Sequence, residues 1–207
     1  IGLEICRQLG SAGHIVILAA RDAALGEEAS ASLSSEGLDV TAVTLDVLDH
    51  ASIRRCAAEL TDRGVEVDVL VNNAGVFVGG TLLSGPDPMP DSLGVNLLGT
   101  LETSRAFVPA MIERGWGRVV NVSSAWGSFA EGLEGAPAYA VTKAALNALT
   151  VHLAREAGPA VLVNAMCPGW VNTRMGVDSA PWDPSGLMPD TPPSAGADTA
   201  LFLATLP

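Results

Sequence analysis

Five short apolar runs, each closed by Gly, Pro, Asn, Asp or Ser, alternate with five stretches of helical spacing, and this alternation constrains the chain more than any other feature. The runs lie at His14 to Ala20, Val40 to Asp46, Val67 to Asn72, Arg118 to Ser123 and Ala160 to Met166. Helical spacing covers about 3 to 12, 23 to 36, 49 to 63, 91 to 114 and 137 to 157. Strand, helix, strand in strict order requires right-handed crossovers, so the expected fold is α/β, a doubly wound Rossmann-type parallel sheet with helices on both faces. In such a sheet ligands bind outside the carboxyl ends of the strands. Asp46, Asn72 to Gly75, Ser123 to Ser124 and Pro168 to Gly169 all fall at those ends.

The chain reads as one nucleotide-binding domain over 1 to 207. It has no internal repeat and no linker, and 207 residues at 48% hydrophobic content can bury one sizeable core. Its most irregular stretch, Arg174 to Pro193, carries five prolines and is expected to be a mobile loop over a site. An apolar helix is expected from Ala195 to Leu206. A formal net charge of -12 argues against nucleic acid and anionic membrane surfaces as partners, because both would repel the chain. No run approaches the ~18 consecutive apolar residues of a membrane span. Cys6, Cys56 and Cys167 are odd in number and widely spaced, which suits a reducing cytoplasm better than a disulfide framework. His14, His50 and His152 are dispersed, so no metal site is expected.

Tyr139 is the only tyrosine, and Lys143 is the only lysine among eleven Lys and Arg residues. Four positions apart in a helix, they share a face. A phenol with a pKa near 10 is a poor acid or base at neutral pH, and a neighbouring ammonium would lower that value. The competing assignment makes Tyr139 a core aromatic and Lys143 a solvated charge. Because arginine serves everywhere else, a lone lysine at this spacing favours chemistry. Trp126, Phe129, Trp170, Trp182 and Met188 are candidates to line an apolar pocket, and Glu131 and Glu134 are expected to be solvated.

Asn72-Asn73-Ala74-Gly75 after a strand, Asn96 in Gly94-Val95-Asn96-Leu97, Ser123-Ser124 after a strand, Tyr139-x-x-x-Lys143 and Pro168-Gly169-Trp170-Val171-Asn172-Thr173 occur in one order along the chain. With these motifs the sequence resembles the short-chain dehydrogenase/reductase family over nearly its whole length, and is most similar to carbonyl-reductase-like members. The resemblance implies that Ser124, preferred over Ser123, hydrogen-bonds a substrate oxygen. It further implies that Tyr139 is the general acid or base, that Lys143 lowers its pKa and holds a nicotinamide ribose, and that Asn96 supports a relay water. Asn73, Ala74 and Gly75 would leave room for adenosine ribose, Asp46 and Val47 would meet adenine, and Pro168, Gly169, Val171 and Thr173 would approach the nicotinamide. Strand-end capping by serine and helix kinking by Asn96 are the alternatives.

The second strand ends Ala20-Arg21-Asp22. Alanine cannot accept the hydrogen bond of an NAD ribose, whereas Arg21 offers a fork to a 2'-phosphate, so NADP(H) is favoured over NAD(H). Asp22 could equally pair with Arg21. The implied reaction is reduction of a ketone or aldehyde, or oxidation of an alcohol, on a small-molecule substrate. The rival is a noncatalytic nucleotide-binding protein or an inactive fragment on the same fold. The family's oligomers imply a homodimer or homotetramer through the long helices, and monomers also occur. The family's first strand and most of its glycine-rich turn have no counterpart here, Gly2 standing as that turn's last glycine, and its last strand is also missing. The expectation is of a chain truncated at both ends that folds poorly and binds cofactor weakly alone.

Overall fold

The computed structural model describes residues 1–207, and the expected order of elements holds. Strands are β1 (Val16–Ala20), β2 (Val40–Thr44), β3 (Val69–Asn72), β4 (Gly117–Val122) and β5 (Val161–Met166). Helices are α1 (Gly2–Ser11), α2 (Ala23–Ser35), α3 (His50–Asp62), α4 (Met89–Leu93), α5 (Thr100–Arg114), α6 (Pro137–Ala157), α7 (Arg174–Ser179) and α8 (Pro193–Ala204). Asp22 and Asp49 start α2 and α3 by accepting hydrogen bonds from Leu25 N and Ala51 N, which satisfies amides the helices cannot.

All strand pairs are parallel, but they form two sheets rather than one. β1 pairs with β2, and β4 lies between β3 and β5, with no ladder joining β1 to β3. Side chains rather than backbone bonds hold the two sheets together. Val16 and Leu18 of β1, Val40 of β2 and Val120 and Val122 of β4 share one buried cluster with Ile5 and Leu9 of α1 and Ala197, Ala200 and Ala204 of α8. On the opposite face Val119, Val161 and Val163 pack against Val108 and Met111 of α5 and Ala157 of α6. Helices therefore cover both faces, and β4, buried at every residue, alternates its valines between them.

Two departures from sequence expectation stand out. The stretch expected as one helix from 91 to 114 is interrupted at Gly94–Gly99 by a π-helical turn, the wider winding that accommodates one extra residue. Gly99 at its end permits the close approach of Val47, because a Cβ there would fall 2.8 Å from that side chain. The segment from Arg174 to Pro193 is not a structureless loop: it contains α7, a 3-10 turn at Ala180–Trp182 and a parallel bridge between Val171 and Thr191.

A buried row of polar side chains links α5, β3, β4 and α6 just short of the carboxyl edge of the three-stranded sheet. Thr103 of α5 donates to Asn72 Oδ1 at 2.6 Å, Asn72 donates to Asn121 Oδ1 at 2.9 Å, and Asn121 donates to Thr150 Oγ1 of α6 at 2.9 Å. Asn72 and Asn121 are register partners, so their amides meet directly across the β3–β4 pair. Replacing Asn121 with Ala leaves the Asn72 amide nitrogen without an acceptor, takes one of two bonds from Thr150 and opens a cavity, and an unmade buried hydrogen bond alone costs ~1–3 kcal/mol. Asn121→Ala is expected to lower the free energy of unfolding by about 3 kcal/mol in a urea titration, with Asn121→Asp also destabilising.

Candidate active site

Three strands deliver their next residues to one edge. Asn73 to Gly75 follow β3, Ser123 and Ser124 follow β4, and Cys167 to Gly169 follow β5. A cavity of about 170 Å³ opens there, lined by Ser124, Tyr139, Cys167, Gly169 and Thr173 among others. A wider, shallower groove between α6 and β5, lined by Thr150, Val151 and Arg155, brings no such cluster together.

Helix α6 begins at Pro137, whose missing amide costs nothing in a first turn, and its N-terminal half carries the two singular residues into the cavity region. Lys143 is 4% exposed, which removes the solvated-charge assignment. Its ammonium donates to the Val122 carbonyl at 2.7 Å and sits 5.5 Å from the centre of the Tyr139 ring. Gly127 permits this seating of α6, since a Cβ there would come within 2.5 Å of the Lys143 backbone. The expected downward pull on the phenol does not appear. Burial pushes the Tyr139 hydroxyl up to about 12, against a lowering hydrogen bond from Ser124 and a further upward effect of Cys167. Burial also brings Lys143 down to about 8, opposed by Cys167. Desolvation outweighs pairing for both groups because the ammonium points at a backbone carbonyl rather than at the phenol oxygen.

The two serines separate cleanly. Ser123 is buried and donates to Asn147 Oδ1 at 2.6 Å, a packing role. Ser124 is only partly buried, accepts from Trp126 N at 3.3 Å as the cap of a short turn, and reaches Tyr139. Asn96, 1% exposed on the π turn, spends its amide on structure: Oδ1 accepts from Val76 N at 2.8 Å, and Nδ2 donates to Val76 O at 3.0 Å and to Thr142 Oγ1 at 3.1 Å. With both amide atoms engaged, the side chain is a clamp on the strand-to-helix passage after β3.

The remaining candidates divide between open and packed positions. Ala74 is exposed, and a Cβ on Gly75 would lie 3.4 Å from Asn96 Oδ1 and 3.8 Å from Lys143 Nζ, so Gly75 keeps a slot open between them. Gly2 lies against the Asn73 side chain, where a Cβ would approach to 2.5 Å. Arg21 is exposed and makes no ion pair, because Asp22 caps α2 instead of pairing with it. Asp46 folds back on its own turn, accepting from Leu48 N at 2.9 Å, and Val47 packs on the π turn at Gly99. Gly169 takes the left-handed conformation after Pro168. Val171 turns its side chain into the core, where a Cβ on Gly196 would strike it at 2.6 Å, and Thr173 caps α7 by accepting from Gly176 N. These positions fit a nucleotide approached through backbone groups and small residues: the slot at Gly75 and the free fork of Arg21 are the parts a packed side chain or an ion pair would have closed.

Among the aromatic candidates, Trp126 and Trp170 line the cavity, whereas Phe129 and Met188 are mostly exposed and Trp182 stacks against Gly79. Sequence reasoning missed Phe77 and Met175, which both line it, and the only signal for Phe77 was its place just beyond Gly75.

A family model described as short chain dehydrogenase matches residues 1–184. The chain is 38% identical over 168 residues to Oxidoreductase UcpA of Escherichia coli K12, covering 78% of this chain and 64% of that protein. It is also 38% identical over 178 residues to galactitol 2-dehydrogenase (L-tagatose-forming) of Cereibacter sphaeroides, covering 84% and 68%. In structure it superposes on a gluconate 5-dehydrogenase of Burkholderia cenocepacia, solved with NADP and tartrate, with a TM-score of 0.86 at 26% identity over 98% of this chain and 82% of that one. The chain belongs to the short-chain dehydrogenase family, and it spans about two thirds of the length of the first of these relatives. No helix is long and apolar enough to cross a membrane.

The depressed Lys143 has a consequence for stability. Between about pH 8 and its ordinary 10.5 the unfolded chain holds a proton at this lysine that the folded chain does not, so stability rises with pH across that window. Tyr139, raised from 10.0 to about 12, acts oppositely above pH 10. The difference in unfolding free energy between the wild type and Lys143→Met is expected to shift in favour of the wild type from pH 8 to 10, and a flat difference would contradict it.

Proposed function

We propose that this chain, acting as one domain over residues 1 to 207, interconverts a ketone or aldehyde and the corresponding alcohol with NADP(H), and does so in the cytoplasm on a small-molecule substrate. The observation that carries the reading is that Ser124 and Tyr139 line one cavity beyond three parallel strands, with the buried Lys143 ammonium 5.5 Å from the Tyr139 ring. Membership of the short-chain dehydrogenase family supports it. Assembly into a homodimer or homotetramer is part of the same reading.

A nicotinamide bound along Gly75, Pro168 and Gly169 would supply or accept the hydride. The chain's own residues manage the proton. Tyr139, held neutral by burial, is poised to donate its hydroxyl proton to a developing alkoxide. Ser124 is fixed at the strand end by its own turn and gives that oxygen a second hydrogen bond with little loss of freedom. Lys143, titrating near neutrality because it is buried, can answer a charge appearing on the phenol oxygen, which is why burial of both groups together is useful. Asn96 keeps the Val76 backbone, and so the slot at Gly75, in position. Arg21 offers its guanidinium to a 2'-phosphate, which Ala20 cannot replace with a carboxylate for a 2'-hydroxyl.

Tyr139→Phe is expected to lower kcat/KM for carbonyl reduction about 10³-fold, within the range general acid catalysis supplies. Cofactor affinity should stay within about twofold, and unchanged turnover would defeat the reading. Arg21→Ala is expected to raise KM for NADPH about tenfold and leave KM for NADH unaltered, as the loss of one charge-assisted contact to a phosphate predicts.

A further inference from the structure

The chain holds four Phe, four Trp and one Tyr, and four of these nine rings, Phe77, Trp126, Tyr139 and Trp170, line one small cavity. Three of them touch as a group. Phe77 and Trp126 lie 5.5 Å and 6.2 Å from the Tyr139 ring, tilted and edge-on, and 6.2 Å from each other. Trp126 is braced from outside, because Gly135 presses so close that a Cβ there would sit 2.2 Å from the indole. A wall fixed in this way needs no reordering when a ligand arrives.

The charges around the cavity are as informative as the rings. Its lining includes no Lys, Arg or His side chain, and its one carboxylate is Asp183. Lys143 lies behind Tyr139 and is not part of the lining, its ammonium bonded to the Val122 carbonyl. An anionic ketone would enter a chain of net charge -12 past a carboxylate and find no cationic side chain to receive it. The cavity of about 170 Å³ also includes Pro168 and Gly169, where the nicotinamide would lie, so a substrate would fill only part of it.

We propose that the cavity selects a neutral ring-bearing ketone or its alcohol, with Phe77 and Trp126 as specificity-determining residues, a selectivity that rests on the carbonyl–alcohol reading given above. Such a ketone places its ring against Phe77 and Trp126 and its oxygen toward Ser124 and Tyr139. Aromatic contacts favour it beyond simple burial, and Asp183 disfavours its acidic counterparts.

The test is calorimetric titration of the full chain with 1-indanone, a neutral bicyclic ketone, and with benzoylformate, an anionic aryl ketone, in the presence of NADP⁺. Indanone is expected to bind at least about tenfold tighter. Trp126→Ala should weaken indanone about tenfold and benzoylformate less, while Asp183→Asn should tighten benzoylformate severalfold and leave indanone alone. Should Trp126→Ala fail to fold by circular dichroism, Phe77→Leu is used, with about a threefold loss expected for indanone because shape and ring edge are lost but apolar character is kept. Equal or tighter binding of benzoylformate, or folded variants with unaltered indanone affinity, overturns the proposal. Tight indanone binding without NADPH-dependent reduction overturns the carbonyl–alcohol reading and leaves the selectivity standing.

Discussion

The amide row from Thr103 through Asn72 and Asn121 to Thr150 is the constraint on which the site depends. Buried amides can bond only when their partners arrive at matching height, so the row holds β3 and β4 level and ties both to α5 and α6. Because the strands end level, the residues that follow them emerge at one edge, and Ser124, Lys143 and Gly75 come within reach of each other. A slip of one residue between β3 and β4 would bury Asn73 in place of Asn72 and carry the slot at Gly75 away from the lysine.

Lys143 makes the second tie in the same direction. Its bond to the Val122 carbonyl anchors α6 to the last residue of β4, immediately before the two serines. An ammonium used this way is costly to bury, and the cost shows in its lowered pKa, while the tyrosine beside it is raised by its own burial. Exclusion of water, more than pairing of charges, therefore sets the protonation behaviour of the site.

Much of this was legible in the sequence, for reasons that can be stated residue by residue. Strand and helix order follows from periodicity, which acts over short range, and all five strands and the span of α6 match expectation. Tyr139, Lys143 and Ser124 are found together because scarcity and motif order mark them. What sequence could not yield depends on distant packing. The π turn ends at Gly99, which packs against Val47 some fifty positions earlier, and no local pattern encodes that contact. The direction of the Tyr139 shift reflects how little water reaches it, a property of the whole fold. Asn96 shows both limits: its importance was visible, but its grip on Val76 required coordinates.

The π turn at Gly94–Gly99 has a consequence for how this stretch can vary in length. A π turn holds one residue more than ordinary winding requires, so it is a store of slack in an otherwise rigid rod. Deleting a single residue within it would permit regular winding from Met89 to Arg114 and leave α4 and α5 in their present alignment, because the slack absorbs the loss. The cost is local: Asn96 sits on the turn itself, and its bonds to Val76 belong to the wider winding. The segment can thus lose a residue without losing its helix, and still lose the clamp beside the slot at Gly75.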